Sequence, residues 1–150
     1  GVIAVLAQGA CERDTAVVTA AVLVAGNSVA LVGAAAGETL RAAFVAAGVP
    51  AGAIEPFGAP ATAGLLREAG LAGVCVVADG AAGRARQVQR ALADRDGAIL
   101  PLVGGAEAQR ADMLWRLCVE QTLTINTAAA GGNAELLAGA GLAAAQISPA

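Results

Sequence analysis

The chain has 150 residues, enough for one domain with its own hydrophobic core. Its composition is 57% apolar but only 2% aromatic, so we expect a core of small aliphatic side chains. The net charge is −3, and nine arginines without any lysine are spread along the chain, which argues against nucleic acid as a partner. Because His, Lys and Tyr are all absent, most common general acids and bases are missing. An independent enzyme that uses Asp, Glu or Cys is therefore the weakest hypothesis.

The three cysteines, Cys11, Cys75 and Cys118, lie far apart and show no C-x-x-C spacing. Since no histidine accompanies them, zinc binding is disfavoured, and no metal site is expected. We expect reduced, buried thiols in a cytosolic protein, with Cys118, near the end of a helix, the more ambiguous case.

An uncharged stretch at 15–37 is long enough to cross a bilayer. Gly26 and Asn27 interrupt it with a turn signal, so the better interpretation is helix, turn and strand, with no transmembrane segment. The chain starts at Gly1 without a methionine or a secretion signal, and we expect it to be a fragment.

Strand and helix patterns alternate along the chain. The apolar run 2–6 predicts a strand, and the charged residues Glu12 and Asp14 then suit the start of a helix that reaches about residue 25. The predicted strands are 2–6, 28–32, 53–57, 74–77 and 99–103. The predicted helices are 12–25, 38–47, 60–69, 81–93 and 106–118. This alternation predicts an α/β fold, a Rossmann-like, doubly wound and mainly parallel sheet with helices on both faces.

The alternation stops at Glu120. Residues 123–126 alternate like an edge strand, and 127–132 are small residues. The sequence therefore predicts a domain at 1–119 and an extended carboxy-terminal tail at 120–150. Such a tail needs another surface to lie on, and the alternative is a flexible linker.

Residues 120–137, EQTLTINTAAAGGNAELL, resemble the carboxy-terminal motif of the bacterial proline utilization A family. Upstream, 20–31, 46–58 and 91–103 are similar to segments of the aldehyde dehydrogenase nucleotide-binding domain. The resemblance implies an aldehyde dehydrogenase-like Rossmann domain followed by that motif. It also implies a parent enzyme that oxidises proline with FAD and glutamate semialdehyde with NAD.

Three departures from the aldehyde dehydrogenase pattern bear on chemistry. Residues 32–35 read VGAA where the family has Lys-Pro-Ser-Glu, which removes the lysine that reaches the adenine ribose. Residues 76–79 read VVAD where the family has Phe-Thr-Gly-Ser beside the pyrophosphate. The family's glutamate base is replaced near Gly104 and Gly105. The resemblance thus implies no catalytic and no cofactor-binding residues in this domain, with FAD and NAD bound elsewhere in the parent.

The tail is rich in side-chain hydrogen-bonding groups and in glycines that allow close approach. We expect it to be a lid on the catalytic domains of the parent chain, chiefly the aldehyde dehydrogenase domain, where the family's motif helps seal a substrate-channelling cavity. The candidate contact residues are Thr122, Thr124, Asn126, Thr127, Gly131, Gly132 and Asn133. The alternative function is a regulatory module that binds a nucleotide or another small ligand.

Three further residues have two interpretations each. Asp79 follows a strand, where ligand-binding residues occur in this fold, but it also suits a helix cap, which we prefer. Glu107 is a conceivable base, although a place in the first turn of a helix fits it better. Trp115 could anchor the core or dock a partner, and the sequence leaves both open.

Overall fold

A computed structural model describes residues 1–78, 83–104, 107 and 109–118. Contacts divide the chain between Val119 and Glu120, and all that follows concerns the first unit. Its strands are β1 Val2–Leu6, β2 Ser28–Val32, β3 Ile54–Phe57, β4 Leu71–Val76 and β5 Leu102–Gly104. Its α-helices are α1 Glu12–Val24, α2 Gly37–Ala46, α3 Thr62–Leu65 and α4 Gly83–Ala93. Short 3-10 segments cover Ala51–Ala53, Ala59–Ala61 and Ala111–Leu117.

The five strands form one sheet in the order β3-β2-β1-β4-β5, and every neighbouring pair is parallel. The chain moves outward from β1 to β3, then crosses over to β4 and continues to β5. The order therefore reverses between β1 and β4, which makes that pair the topological switch point. The predicted α/β, Rossmann-like fold is confirmed.

Side chains of each central strand alternate between two buried clusters. On one face, Val5 of β1 and Leu31 of β2 pack with Val18 and Val22 of α1. On the other face, Leu6 of β1 packs with residues of β4, α3 and α4. Because both faces are covered, the strands are apolar throughout, as in parallel sheets generally. The core consists mainly of valine, alanine, leucine and isoleucine, as the composition predicts.

Three predicted elements are corrected in extent or type. The helix expected at 60–69 is a 3-10 turn followed by only four α-helical residues, because Gly64 and Gly70 lower helix stability there. The last strand begins at Leu102 and not at 99. Of the helix expected at 106–118, the described part is a 3-10 segment at Ala111–Leu117.

The cysteines and the tryptophan differ in burial. Cys75 is buried in β4, as expected, but Cys11 and Cys118 are exposed. Trp115 does not anchor the core, since 73% of it is exposed, whereas its neighbours Met113 and Leu117 are buried. Among the described residues, no helix combines the length and the hydropathy that crossing a bilayer requires.

Candidate functional site

The fold places a candidate ligand site at the carboxyl ends of β1, β2 and β4. Doubly wound sheets bind ligands beside the switch point, at the loop that joins the first strand to its helix. Here that loop is residues 7–11. Its one glycine, Gly9, has φ +74°, and it supplies the turn without the further glycines of a dinucleotide-binding fingerprint.

The amino terminus of α1 is capped by its own side chains. Cys11 is the N-cap residue, and its Sγ accepts a hydrogen bond from the backbone N–H of Asp14 at 3.4 Å. Thr15 Oγ1 donates to the Cys11 carbonyl at 2.9 Å. The first turn also carries the carboxylates of Glu12 and Asp14, which already interact with the helix dipole. A phosphate arriving at this helix end would meet two negative charges and one N–H that is already bonded.

The side chain of Gln8 lies against Gly33. Gly33 follows β2 with φ +70°, and a Cβ at this position would overlap Cγ of Gln8. The backbone carbonyl of Gln8 accepts a hydrogen bond from Arg84 Nη1 at 2.5 Å. Gln8 thus joins the ends of β1 and β2 through its side chain, and joins β1 to α4 through its carbonyl.

A groove of about 210 Å³ opens between α1 and α2 at this edge of the sheet. Five alanines and one leucine contribute to its lining, with Glu12, Thr15 and Thr39 as the polar members. The volume is below the roughly 300–1,000 Å³ of typical small-molecule sites. No arginine lines the groove, and the hydroxyl of Thr15 is engaged by Cys11. The residues present therefore do not fit the phosphates of a dinucleotide.

The structure locates some of the residues singled out by sequence. Ala34 and Ala35, from the VGAA segment, line the groove, and Gly104 ends β5. Glu107 lies in a 3-10 turn, where its backbone carbonyl accepts from Arg110 N–H at 3.2 Å, and its carboxylate accepts a hydrogen bond from Arg116 Nη1 at 2.5 Å. Outside the described residues lie Asp79, Gly105, Thr122, Thr124, Asn126, Thr127, Gly131, Gly132 and Asn133, together with the proposed domain boundary and tail.

Two groups with possible chemistry can be assessed directly. Burial raises the pKa of the Cys75 thiol from 9.0 to about 12, so this thiol stays protonated and unreactive at neutral pH. Within the part of the chain that the structure describes, no three His, Cys, Asp or Glu side chains cluster closely enough to hold a metal ion.

Sequence reasoning missed the polar residues that shape this edge. The sequence comparison considered only the loss of the lysine at 32–35, whereas Glu12 and Thr39, from other segments, also line the groove beside the alanines. The hydrogen bond from Arg84 to the Gln8 carbonyl joins residues 76 positions apart. Nothing local in the sequence signals such a pair.

Comparison with known proteins gives one related region. Over 62 residues the chain is 44% identical to "Bifunctional protein PutA" of Salmonella typhimurium, a match that covers 41% of this chain and 5% of that protein. It is 42% identical over 62 residues to the protein of the same name from Escherichia coli, with the same coverage. The chain contains a region related to PutA. The match spans only about one twentieth of the length of either relative. No protein-family model matches the chain, and no solved structure matches it significantly.

Proposed function

We propose that this chain is a non-catalytic structural and lid domain of a PutA-like bifunctional enzyme. In this account the parent oxidises proline with FAD and then glutamate semialdehyde with NAD. The chain itself carries out neither step and binds neither cofactor. It acts in the cytoplasm of a bacterium by helping to keep the cavity between the two active sites closed.

The proposal rests on the amino terminus of α1, which is capped by Cys11 and carries two carboxylates in its first turn. In a nucleotide-binding Rossmann domain, this helix end and the preceding loop offer free N–H groups to the pyrophosphate. Here Cys11 caps the helix, and Glu12 and Asp14 place negative charge where phosphate oxygens would lie. The similarity to PutA indicates the kind of enzyme to which this domain would belong. The capped, negatively charged helix end is the reason for proposing a role other than catalysis.

A closed cavity matters because the intermediate of one reaction is the substrate of the next. A Rossmann layer without a ligand still offers a rigid surface, and the tail at 120–150 is proposed to lie over the aldehyde dehydrogenase domain. Its polar side chains and its glycines suit main-chain contacts with another domain. The lid raises the chance that the intermediate reaches the second site before it escapes.

Coupled turnover tests this role in an enzyme that carries the chain. Deletion of 120–150 is expected to lower the rate of proline-to-glutamate conversion and to lengthen the lag before NADH appears. The proline dehydrogenase rate with an artificial electron acceptor is expected to stay unchanged. Thr124→Val with Asn126→Leu tests the polar contacts, and Ser148→Ala, outside the motif, is the matched control. Unchanged coupling in the deletion variant would refute the lid role.

The groove between α1 and α2 favours a second candidate, a regulatory module for a small ligand. Its alanine-rich wall could accept an apolar group of modest size. A thermal shift screen of the chain against nucleotides and small metabolites separates the two functions, because a ligand that binds only the folded state raises Tm. The structural role predicts no ligand-dependent shift.

A further inference from the structure

The connection between α4 and β5 contains an aspartate that is followed by a glycine. Asp96 and Gly97 lie between Ala93, the last residue of α4, and Leu102, the first residue of β5. Both are exposed, and neither belongs to a helix or a strand. An aspartate carboxyl can react with the backbone nitrogen of the next residue, because the two atoms are held close enough to close a five-membered ring. The reaction requires that this nitrogen is accessible and that no hydrogen bond holds it.

The backbone at Gly97 meets this requirement. Its φ is +102°, a conformation that glycine adopts without steric penalty. A Cβ placed on this residue would meet no atom within 4 Å, so the backbone is open on that side. Among the described residues, the Gly97 N–H has no hydrogen-bond acceptor. Its nitrogen is therefore neither shielded by packing nor held by a carbonyl.

The carboxylate of Asp96 is also without a fixed contact. No ion pair in the described part of the chain includes it. The guanidinium of the preceding Arg95 instead donates through Nη2 to the backbone carbonyl of Glu68, at 2.9 Å. The Asp96 side chain can therefore turn toward the Gly97 nitrogen without breaking an ion pair in this part of the molecule.

The other aspartates of the described ranges, Asp14, Asp94 and Asp112, are held differently. The N–H that follows each of them donates to a backbone carbonyl three or four residues earlier, from Thr15 to Cys11 at 3.1 Å, from Arg95 to Leu92 at 3.4 Å and from Met113 to Arg110 at 3.1 Å. The hydrogen bond from Arg110 also lowers the pKa of the Asp112 carboxyl, and the neutral acid is the form that reacts. Asp96 thus differs from these three in its backbone and not only in its neighbour.

From these contacts we infer that Asp96 and Gly97 form a site of covalent modification, at which aspartate converts to isoaspartate through a succinimide. The Gly97 nitrogen bonds to Cγ of Asp96, and its proton leaves with the carboxyl hydroxyl as one water molecule. Water then cleaves one of the two bonds from this nitrogen to a carbonyl carbon. Cleavage at Cγ restores aspartate, whereas cleavage at the α-carbonyl carbon gives isoaspartate with a free α-carboxylate. The sequence of steps needs no oxidant or reductant.

Ageing of the 150-residue protein tests the inference. The protein is kept for several weeks at neutral pH in native buffer and, in parallel, in urea. Methyl transfer from S-adenosylmethionine by an isoaspartyl O-methyltransferase measures isoaspartate, and electron-transfer dissociation of the peptides assigns each site. Asp96 is expected to convert in the native protein within about threefold of its rate in urea, because exposed loops open with a free energy near zero. Asp14, inside α1, is expected to be slowed at least about tenfold by folding, since its reaction must first break a helical hydrogen bond.

Two variants assign the signal within the peptide that spans residues 94 and 96. Asp96→Glu is expected to remove its isoaspartate, because glutamate would have to close a slower six-membered ring. Asp94→Glu is the matched control and is expected to leave the signal unchanged, since Asp94 is also exposed and lies two residues away. Asp79, which also precedes a glycine, lies outside the described residues and is mapped in a separate peptide. An undiminished signal in Asp96→Glu, or conversion of Asp96 at least about tenfold slower in the native protein than in urea, would overturn the inference.

Discussion

Arg84 of α4 donates through Nη1 to the backbone carbonyl of Gln8, at a distance of 2.5 Å. The bond joins the loop after β1 to the helix after β4, and so spans the switch point of the sheet. In nucleotide-binding relatives of this fold, that crevice is where the ligand lies. Here two elements of the protein are bonded to each other across it.

Arg84→Met tests how much this bond contributes to stability. Methionine keeps much of the aliphatic stem but removes the charged donor, so the free energy of unfolding is expected to fall by about 1 to 2 kcal/mol. Arg86→Met is the control, because Arg86 is exposed on the same helix, and a change within about 0.5 kcal/mol is expected there. Urea titration measures both variants. Equal losses would show that the Gln8 contact adds nothing beyond helix propensity.

Gly33→Ala tests the packing between Gly33 and Gln8. The backbone has φ +70°, and the new Cβ would overlap the Gln8 side chain, so a loss of about 2 to 4 kcal/mol is expected. Adding Gln8→Ala to this variant is expected to recover the part of the stability loss that comes from steric overlap. The part that comes from the positive φ at position 33 is expected to remain. Gly52→Ala is the control, since nothing lies within 4 Å of that position. Failure of Gln8→Ala to recover any stability would contradict the predicted overlap.

The three cysteines are expected to differ in reactivity. Cys11 and Cys118 are exposed and should be alkylated by a thiol reagent in the native protein, whereas Cys75 is buried in β4. We expect Cys75 to react with the reagent only after the protein is unfolded in denaturant. Mass spectrometry of the labelled peptides assigns each site. Native labelling of Cys75 at the rate of Cys118 would mean that β4 is not buried as described.

Alkaline pH is expected to destabilise the protein through Cys75. The folded-state pKa is raised to about 12 from 9.0, so between these values the unfolded chain loses a proton that the folded chain keeps. The stability contributed by the neutral thiol is complete below pH 9, and above it the unfolding free energy falls by about 1.4 kcal/mol per pH unit. The chain has no lysine or tyrosine to obscure this range. Cys75→Ala is expected to remove this part of the pH dependence, and an unchanged slope would contradict it.

The sequence predicted the sheet better than it predicted the site. The runs of apolar residues in β1 and β2 mark strands buried on both faces, and both were located with their exact bounds. Elements held by few core contacts were less predictable. In the last segment Met113 and Leu117 are buried, Trp115 between them is exposed, and Asn27 Nδ2 donates to the Leu117 carbonyl at 2.7 Å. Such contacts depend on residues 90 positions apart, which local periodicity cannot reveal.

The site shows the same limit. The family resemblance identified 32–35 as a segment beside the cofactor site, and Ala34 and Ala35 line the groove between α1 and α2. The capping thiol of Cys11, the Arg84 bond and the contribution of Glu12 to the groove became evident only in three dimensions. The loop after β1 has one glycine, Gly9, and no dinucleotide-binding fingerprint. In the fold, the Cys11 cap and the hydrogen bond from Arg84 to Gln8 lie beside that glycine.

Titration calorimetry of the 150-residue protein with NAD tests the central claim most directly. With Cys11, Glu12 and Asp14 at the amino terminus of α1, no saturable heat is expected up to millimolar NAD, and circular dichroism confirms that the sample is folded. Saturable binding at micromolar NAD, abolished by a substitution in the α1 and α2 groove such as Ala35→Trp, would contradict the account.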